Sequence, residues 1–295
     1  MPSVYGELLA VIAPVAICAG VGFCWARTRQ PFEHEFVSRL VMNVGAPCLI
    51  VGTLSEIEVA PALLGQMALA VLVLLAITVA AAAALCAALR LPLRTYLTPL
   101  VFPNTGNMGL PLALFAFGEQ GLAIALTVFM LVSIAHFSLG VAFMQGGSPF
   151  AGMARSPTVY AGLIATALIV GGWQLPGWLT NTLGLLGDVS IPLMLITLGV
   201  SLAGLRVHQL GSSLGLGAAR IAIGFGAAWL TSELLGLQGV ARGVLLIQSA
   251  MPMAVFSYLL ASRYQRGADA VAGMVVMSTL LAFALLPLLL WVARG

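Results

Sequence analysis

Two short runs hold most of the polar chemistry of this chain. "FPNTGNMGLPLALF" (102–115) places Asn104, Thr105 and Asn107 between Pro103 and Pro111, and "QSAMPMAVF" (248–256) places Gln248 and Ser249 beside Pro252. Proline removes a backbone N–H and clashes with the carbonyl four residues earlier, so a helix through either run kinks or unwinds. Freed carbonyls and amide side chains coordinate a cation or hydrogen-bond a polar solute, while half-helix N-termini present positive partial charge to an anion. For either run alone, the plain reading is a kink with Asn and Gln bridging neighbouring helices. Two such runs together define an expected solute site of Asn104, Thr105, Asn107, Gln248 and Ser249.

Four ionisable side chains bear on that site. Asp188 sits within an apolar segment, where a charge is costly and must face a cavity or a partner. It is a candidate proton or sodium site, with a structural, hydrogen-bonded Asp as the alternative. Arg220 and Arg39 either snorkel and serve structure or point inward as anion contacts. His136 reads as a packing histidine, and no nearby His or Cys suggests a metal site. No cofactor is expected, and a coupling ion would be a proton or sodium.

The elements that position these residues follow from composition. Hydrophobic residues make up 61% of the chain and charged residues 7%, far from the balance of a soluble domain. The chain therefore reads as an all-α, multi-pass membrane protein, and no basic patch points to nucleic acid. Cys18, Cys24, Cys48 and Cys86 lie in or beside apolar runs and read as small buried hydrophobes rather than a disulfide framework. The first apolar run lacks a cationic leader and a small-residue cleavage site, so it reads as a retained span.

At about 20 residues per crossing, ten spans are expected: 4–26, 36–55, 61–89, 95–117, 121–145, 157–175, 178–203, 213–235, 241–262 and 270–292. All twelve basic residues are arginines, and most fall after odd-numbered spans: Arg27, Arg29, Arg90, Arg94, Arg155, Arg206, Arg263 and Arg266. The opposite loops hold Arg242 and Arg294 beside Glu56, Glu58 and Glu119. The positive-inside rule then puts odd loops in the cytoplasm and both termini outside. The same arginines could also meet acidic membrane lipid.

Five spans per half with opposite starting sides is the arithmetic of an inverted repeat, here residues 1–147 and 148–295. "NVGAPCLI" (43–50) matches "DVSIPLML" (188–195), and "LPLALF" (110–115) matches "MPMAVF" (251–256) at nearly the same offset. Pro252 can pair with Pro111 or with Pro103, and the sequence leaves both registers open.

"PNTGNMGLPL" (103–112), "DVSIPLMLITLGVSL" (188–202) and "QSAMPMAVFSYLLASRY" (248–264) resemble the auxin efflux carrier family, which includes PIN-type plant carriers and bacterial permeases for dicarboxylates such as malate and malonate. "SRLVMNVGAP" (38–47) and "AARIAIG" (218–224), with Arg39 and Arg220, extend the likeness over nearly the whole chain. The resemblance implies ten helices in two inverted five-helix repeats, as in bile-acid symporters and sodium/proton antiporters, with broken spans 4 and 9 crossing at Pro103 and Pro252. It implies a scaffold of spans 1, 2, 6 and 7, often dimeric, and a transport domain of spans 3–5 and 8–10 moving as an elevator. Asn104 would contact a substrate carboxylate. Two departures stand out: "GGSPFAGMARSP" (146–157) is a short connector where plant carriers have a large loop, and Val132 occupies a position where the plant pattern has glutamine.

The expected function is secondary transport of a small organic anion, a mono- or dicarboxylate, in a bacterial inner membrane. An intramembrane aspartyl protease would need two membrane aspartates, and the only other Asp is Asp269, before span 10. Ser133 and Ser138 flank His136 without a recognised nucleophile motif, so no enzyme is expected. A passive channel or a solute-binding sensor is the remaining alternative.

Overall fold

The computed structural model describes residues 4–56, 61–145, 156–205 and 210–294. Glu58, Arg155, Arg206 and most of the 146–157 connector lie outside them. The described residues are mainly helical, and among them no strand forms beyond one isolated bridge. The elements are α1 (Val4–Arg27), α2 (His34–Leu40), α3 (Ala46–Glu56), α4 (Pro61–Ala88), α5 (Leu93–Val101), α6 (Leu110–Ala135) and α7 (Val141–Gln145). They continue as α8 (Pro157–Gly171), α9 (Gly177–Asp188), α10 (Ser190–Gly204), α11 (Leu210–Leu235), α12 (Gly239–Ser249), α13 (Val255–Arg263) and α14 (Ala268–Arg294). Among the described residues seven helical stretches are long and apolar enough to cross a membrane: Leu9–Arg27, His34–Glu56, Gly65–Ala88, Thr105–Met144, Gly177–Gly204, Leu210–Leu235 and Ala268–Arg294.

Some boundaries differ from those read in the sequence. The segment expected at 157–175 ends as helix at Gly171, where Gly172 takes a left-handed cap (φ 62°). The segment expected at 178–203 is two helices meeting at Val189. The Thr105–Met144 stretch is interrupted at Gly118 (φ 66°, ψ −160°), which separates the expected fourth and fifth spans without a loop. Only glycine adopts that backbone without a steric penalty.

Three π turns, Val41–Gly45, Thr105–Gly109 and His136–Gly140, sit within otherwise α-helical segments. Such turns widen the helix by one residue and redirect the side chains that follow. One of them, Thr105–Gly109, begins directly after the break in the 102–115 run. α1 packs along α10, α3 along α8 and α9, and α11 along α14, α4 and α12. In a bilayer this packing rests on close contact and buried polar bonds rather than on hydrophobic exclusion, because lipid tails are as apolar as the side chains.

Candidate functional site

The two proline runs break their helices and meet. α5 ends at Val101 and helix resumes at Thr105, while α12 ends at Ser249 and α13 begins at Val255. Between these ends the chains run antiparallel, with Pro103 opposite Met253. Asn104 N–H donates to the Pro252 carbonyl at 2.7 Å, and Ala254 N–H donates to the Phe102 carbonyl at 3.2 Å. Each break thereby satisfies part of the other's main chain, which buried backbone requires. Pro103 and Pro252 both lie within the interruptions, whereas Pro111 lies in the first turn of α6, where a missing N–H is tolerated.

The first break presents its polar groups to a cavity. Asn104 is 5% exposed, its Oδ1 accepts from Asn107 N–H at 3.2 Å, and its Nδ2 has no partner among the described residues. That side-chain bond caps the helical turn beginning at Thr105. Asn104, Thr105 and Asn107 line a pocket of about 40 Å³, closed by Met42, Met194 and Phe256 and by Ser133 and His136 of the neighbouring helix. Met42, Asn107, Met194 and Phe256 also border a second pocket of about 20 Å³. That pocket shares His34, Ser38 and Met42 with a cavity of about 610 Å³ lined further by Arg39, Asn43, Arg263 and Tyr264. The three spaces lie side by side between one end of the α2–α3 segment and the crossing, with lining residues in common.

A separate cavity of about 480 Å³ opens at the other end of that segment, lined by Thr53, Glu56, Glu119, Thr180 and Asp188. Asp188 is exposed and shares this space with two other acids, so it is not isolated at depth. Asp188 does not line the pocket at the crossing.

The second break is built differently. Gln248 is fully buried and packs against the Cα of Gly109, where a Cβ would collide with its Oε1. Ser249 is buried, and neither residue lines the pocket beside Asn104. Arg220, 1% exposed, donates from Nη2 to the Ser249 carbonyl at 3.1 Å. A cation at the C-terminal end of α12 faces the negative end of that half-helix dipole. Among the described residues no acid pairs with Arg220, whose Nε and Nη1 lack partners. Arg39 is exposed and pairs with Glu35 one turn earlier on α2, at the wall of the large cavity.

Sequence reasoning missed the part played by span 5. His136 is 5% exposed, stacks on Phe102 with ring centroids 4.4 Å apart and planes within 7°, and lines the pocket at the crossing. Ser133 lines the same pocket. Their spacing of three residues puts both on one face of a helix, a signal that was available once span 5 was known to pack against the break. Among the described residues no His, Cys, Asp and Glu cluster suited to a metal ion is present.

A multi-pass helical membrane protein whose two broken helices cross at a buried amide site has the build of a membrane transporter. The chain belongs to the membrane transport protein family, whose model matches residues 8–151 and 150–292, and which is the auxin efflux carrier family its proline runs resemble. It is similar to an uncharacterized transporter of Methanocaldococcus jannaschii, 30% identical over 200 residues covering 64% of each chain. A second uncharacterized transporter, from Methanothermobacter thermautotrophicus, is 30% identical over 193 residues covering 63% of each chain. The chain thus spans less than two thirds of the length of these relatives in alignment.

Proposed function

We propose that this protein is a secondary transporter that carries a small organic anion, a mono- or dicarboxylate, by alternating access at the crossing of its broken helices. The carrying observation is the pocket at Asn104. It combines a buried amide whose Nδ2 has no partner among the described residues, a helical turn that begins at Thr105 and is capped by the same amide, and lining residues shared with the larger cavity. Helix N-termini and amide donors favour a carboxylate over a cation at this spot. In this reading the carboxylate head occupies the 40 Å³ pocket, which has room for about three water-sized groups, and the remainder of the solute extends past Met42 and Phe256 toward the large cavity. Arg39 and Arg263 on that cavity wall would draw anions inward and could meet a second carboxylate.

In this reading ten spans form two inverted five-helix repeats, residues 1–147 and 148–295. Spans 1, 2, 6 and 7 form the scaffold of a homodimer in a bacterial inner membrane, with both termini outside. Spans 3–5 and 8–10 move as an elevator. Support comes from the two cavities at opposite ends of the α2–α3 segment, separated by the crossing, which suits a carrier better than an open channel. Pro103 and Pro252 form the pivot, Gln248 and Ser249 act from behind it, and Asp188 with Glu56 and Glu119 lines the opposite mouth.

The test is counterflow of radiolabelled malonate and acetate in proteoliposomes. Saturable exchange in the native protein, lost in Asn104→Ala, is the expected result. Absence of exchange with carboxylates, or undiminished exchange in the variant, would remove the proposal's basis.

A further inference from the structure

We propose that His136 is the proton-binding residue of the transport site, and that a carboxylate binds together with one proton carried on its imidazole. The inference rests on the carboxylate reading above and adds what accompanies the anion.

Geometry singles out this residue. Its ring is fixed between Phe102, the last residue before the crossover proline, and Phe137, whose centroid is 5.4 Å away. Phe137 meets Phe256 of the second broken span edge-on at 5.2 Å. Ring faces are thereby covered by apolar surface while the ring borders the pocket that holds Asn104. Nε2 is buried and has no hydrogen-bond partner among the described residues. An unmade bond in a buried site is costly and is normally met by a partner or a ligand. Asn104 Nδ2 faces the same shortage in the same pocket.

The other groups that share the pocket come from spans 2, 4, 5, 7 and 9, and none of them titrates in the physiological range: they are Met, Pro, Asn, Thr, Gly, Ser, Val, Ala and Phe side chains. The ionisable neighbours lie further out, with His34, Glu35, Arg39, Arg263 and Tyr264 on the wall of the large cavity beyond Phe137 and Phe256. His34 is occupied, its Nε2 lying 2.8 Å from Ser201 Oγ. Asp188 opens onto the other cavity with Glu56 and Glu119. His136 is therefore the single titratable side chain lining the pocket.

The chemistry follows from charge balance. A carboxylate placed against neutral imidazole brings an uncompensated charge into a buried site with mostly apolar walls. Against imidazolium it gains a charge-assisted hydrogen bond from Nε2–H and the pair is neutral. The proton comes from solvent through the 610 Å³ cavity and is released when the anion leaves. Binding of the anion is then linked to uptake of one proton, so affinity falls as pH rises, by up to about tenfold per pH unit between the pH at which the imidazole titrates in the empty site and the higher pH at which it titrates with the anion bound.

Isothermal titration of the purified full chain with malonate and with acetate, in buffers of different ionisation enthalpy at pH 6 to 8, measures this directly. The expected result is uptake of close to one proton per anion in the native protein, a steep loss of affinity toward pH 8, and pH-independent, weaker binding in His136→Gln. Asp188→Asn should retain the proton uptake. Native binding without proton uptake overturns the inference and leaves the carboxylate reading standing, and this measurement needs no variant to fold. Proton uptake that persists in His136→Gln, or that vanishes in Asp188→Asn alone, overturns it too. If neither anion binds the native protein at any pH, the transport-site reading and this inference fall together.

Discussion

The two breaks at the crossing are related by position but not by use. The first, around Asn104, lines a pocket with Asn104, Thr105 and Asn107. The second, around Met251 to Ala254, turns its polar atoms inward. The Ser249 carbonyl takes a hydrogen bond from Arg220, Met253 N–H is held by Ser278 Oγ at 3.1 Å, and Gln248 is pressed against Gly109. In the proposed reading one break meets the solute and the other braces it. The lesson is that a pair of matched proline motifs can divide its labour, because the neighbours of each break decide whether its freed groups meet solvent or protein.

That division can be attacked from either side. The largest effect is expected from Gly224→Leu. Any Cβ at Gly224 collides with the Ser249 carbonyl, so a leucine forces α11 off the brace and costs on the order of 3 kcal/mol or more. Folded yield and melting temperature in detergent report it. If the variant melts normally, α11 does not seat the second break.

Asn104→Ala should abolish carboxylate exchange while lowering stability by only about 1 kcal/mol, the usual worth of an N-cap. Paired measurement of exchange and melting separates the two, and a large loss of stability would make the first break a brace as well. Ser278→Ala removes the hydroxyl that holds Met253 N–H and should cost about 1–2 kcal/mol with substrate affinity unchanged. A selective loss of affinity there would blur the contrast. Arg39→Gln breaks an ion pair whose side chains are 72% and 77% exposed, and stability should shift by less than about 0.5 kcal/mol. Its measurable effect is a slower, less salt-sensitive rate of anion entry, since Arg39 lines the large cavity rather than the pocket.

Much of this was legible in the residues. Proline with amides inside an apolar run marks unwinding through local sterics, which act within a turn and need no tertiary context, so both breaks were visible at 102–115 and 248–256. The choice between Pro103 and Pro111 was not, because a proline in the first turn of a helix and one within a break look alike until the helix start is fixed at Thr105 and Leu110. Gln248 and Ser249 stood next to a break in sequence, yet their direction depends on which helix packs behind them, here α11 with Arg220 and the turn at Gly109. The π turns at 41–45, 105–109 and 136–140 carry no composition signal distinguishing them from α-helix. They rotate the side chains that follow, and His136, read as packing, opens one of them and lies against the pocket.

The stitch between the interruptions is made by peptide groups alone, from Asn104 to Pro252 and from Ala254 to Phe102. Its geometry is therefore indifferent to which side chains decorate those positions, provided the prolines keep the strands extended. A joint of that kind lets the cargo preference drift, residue by residue, around a fastening that stays the same.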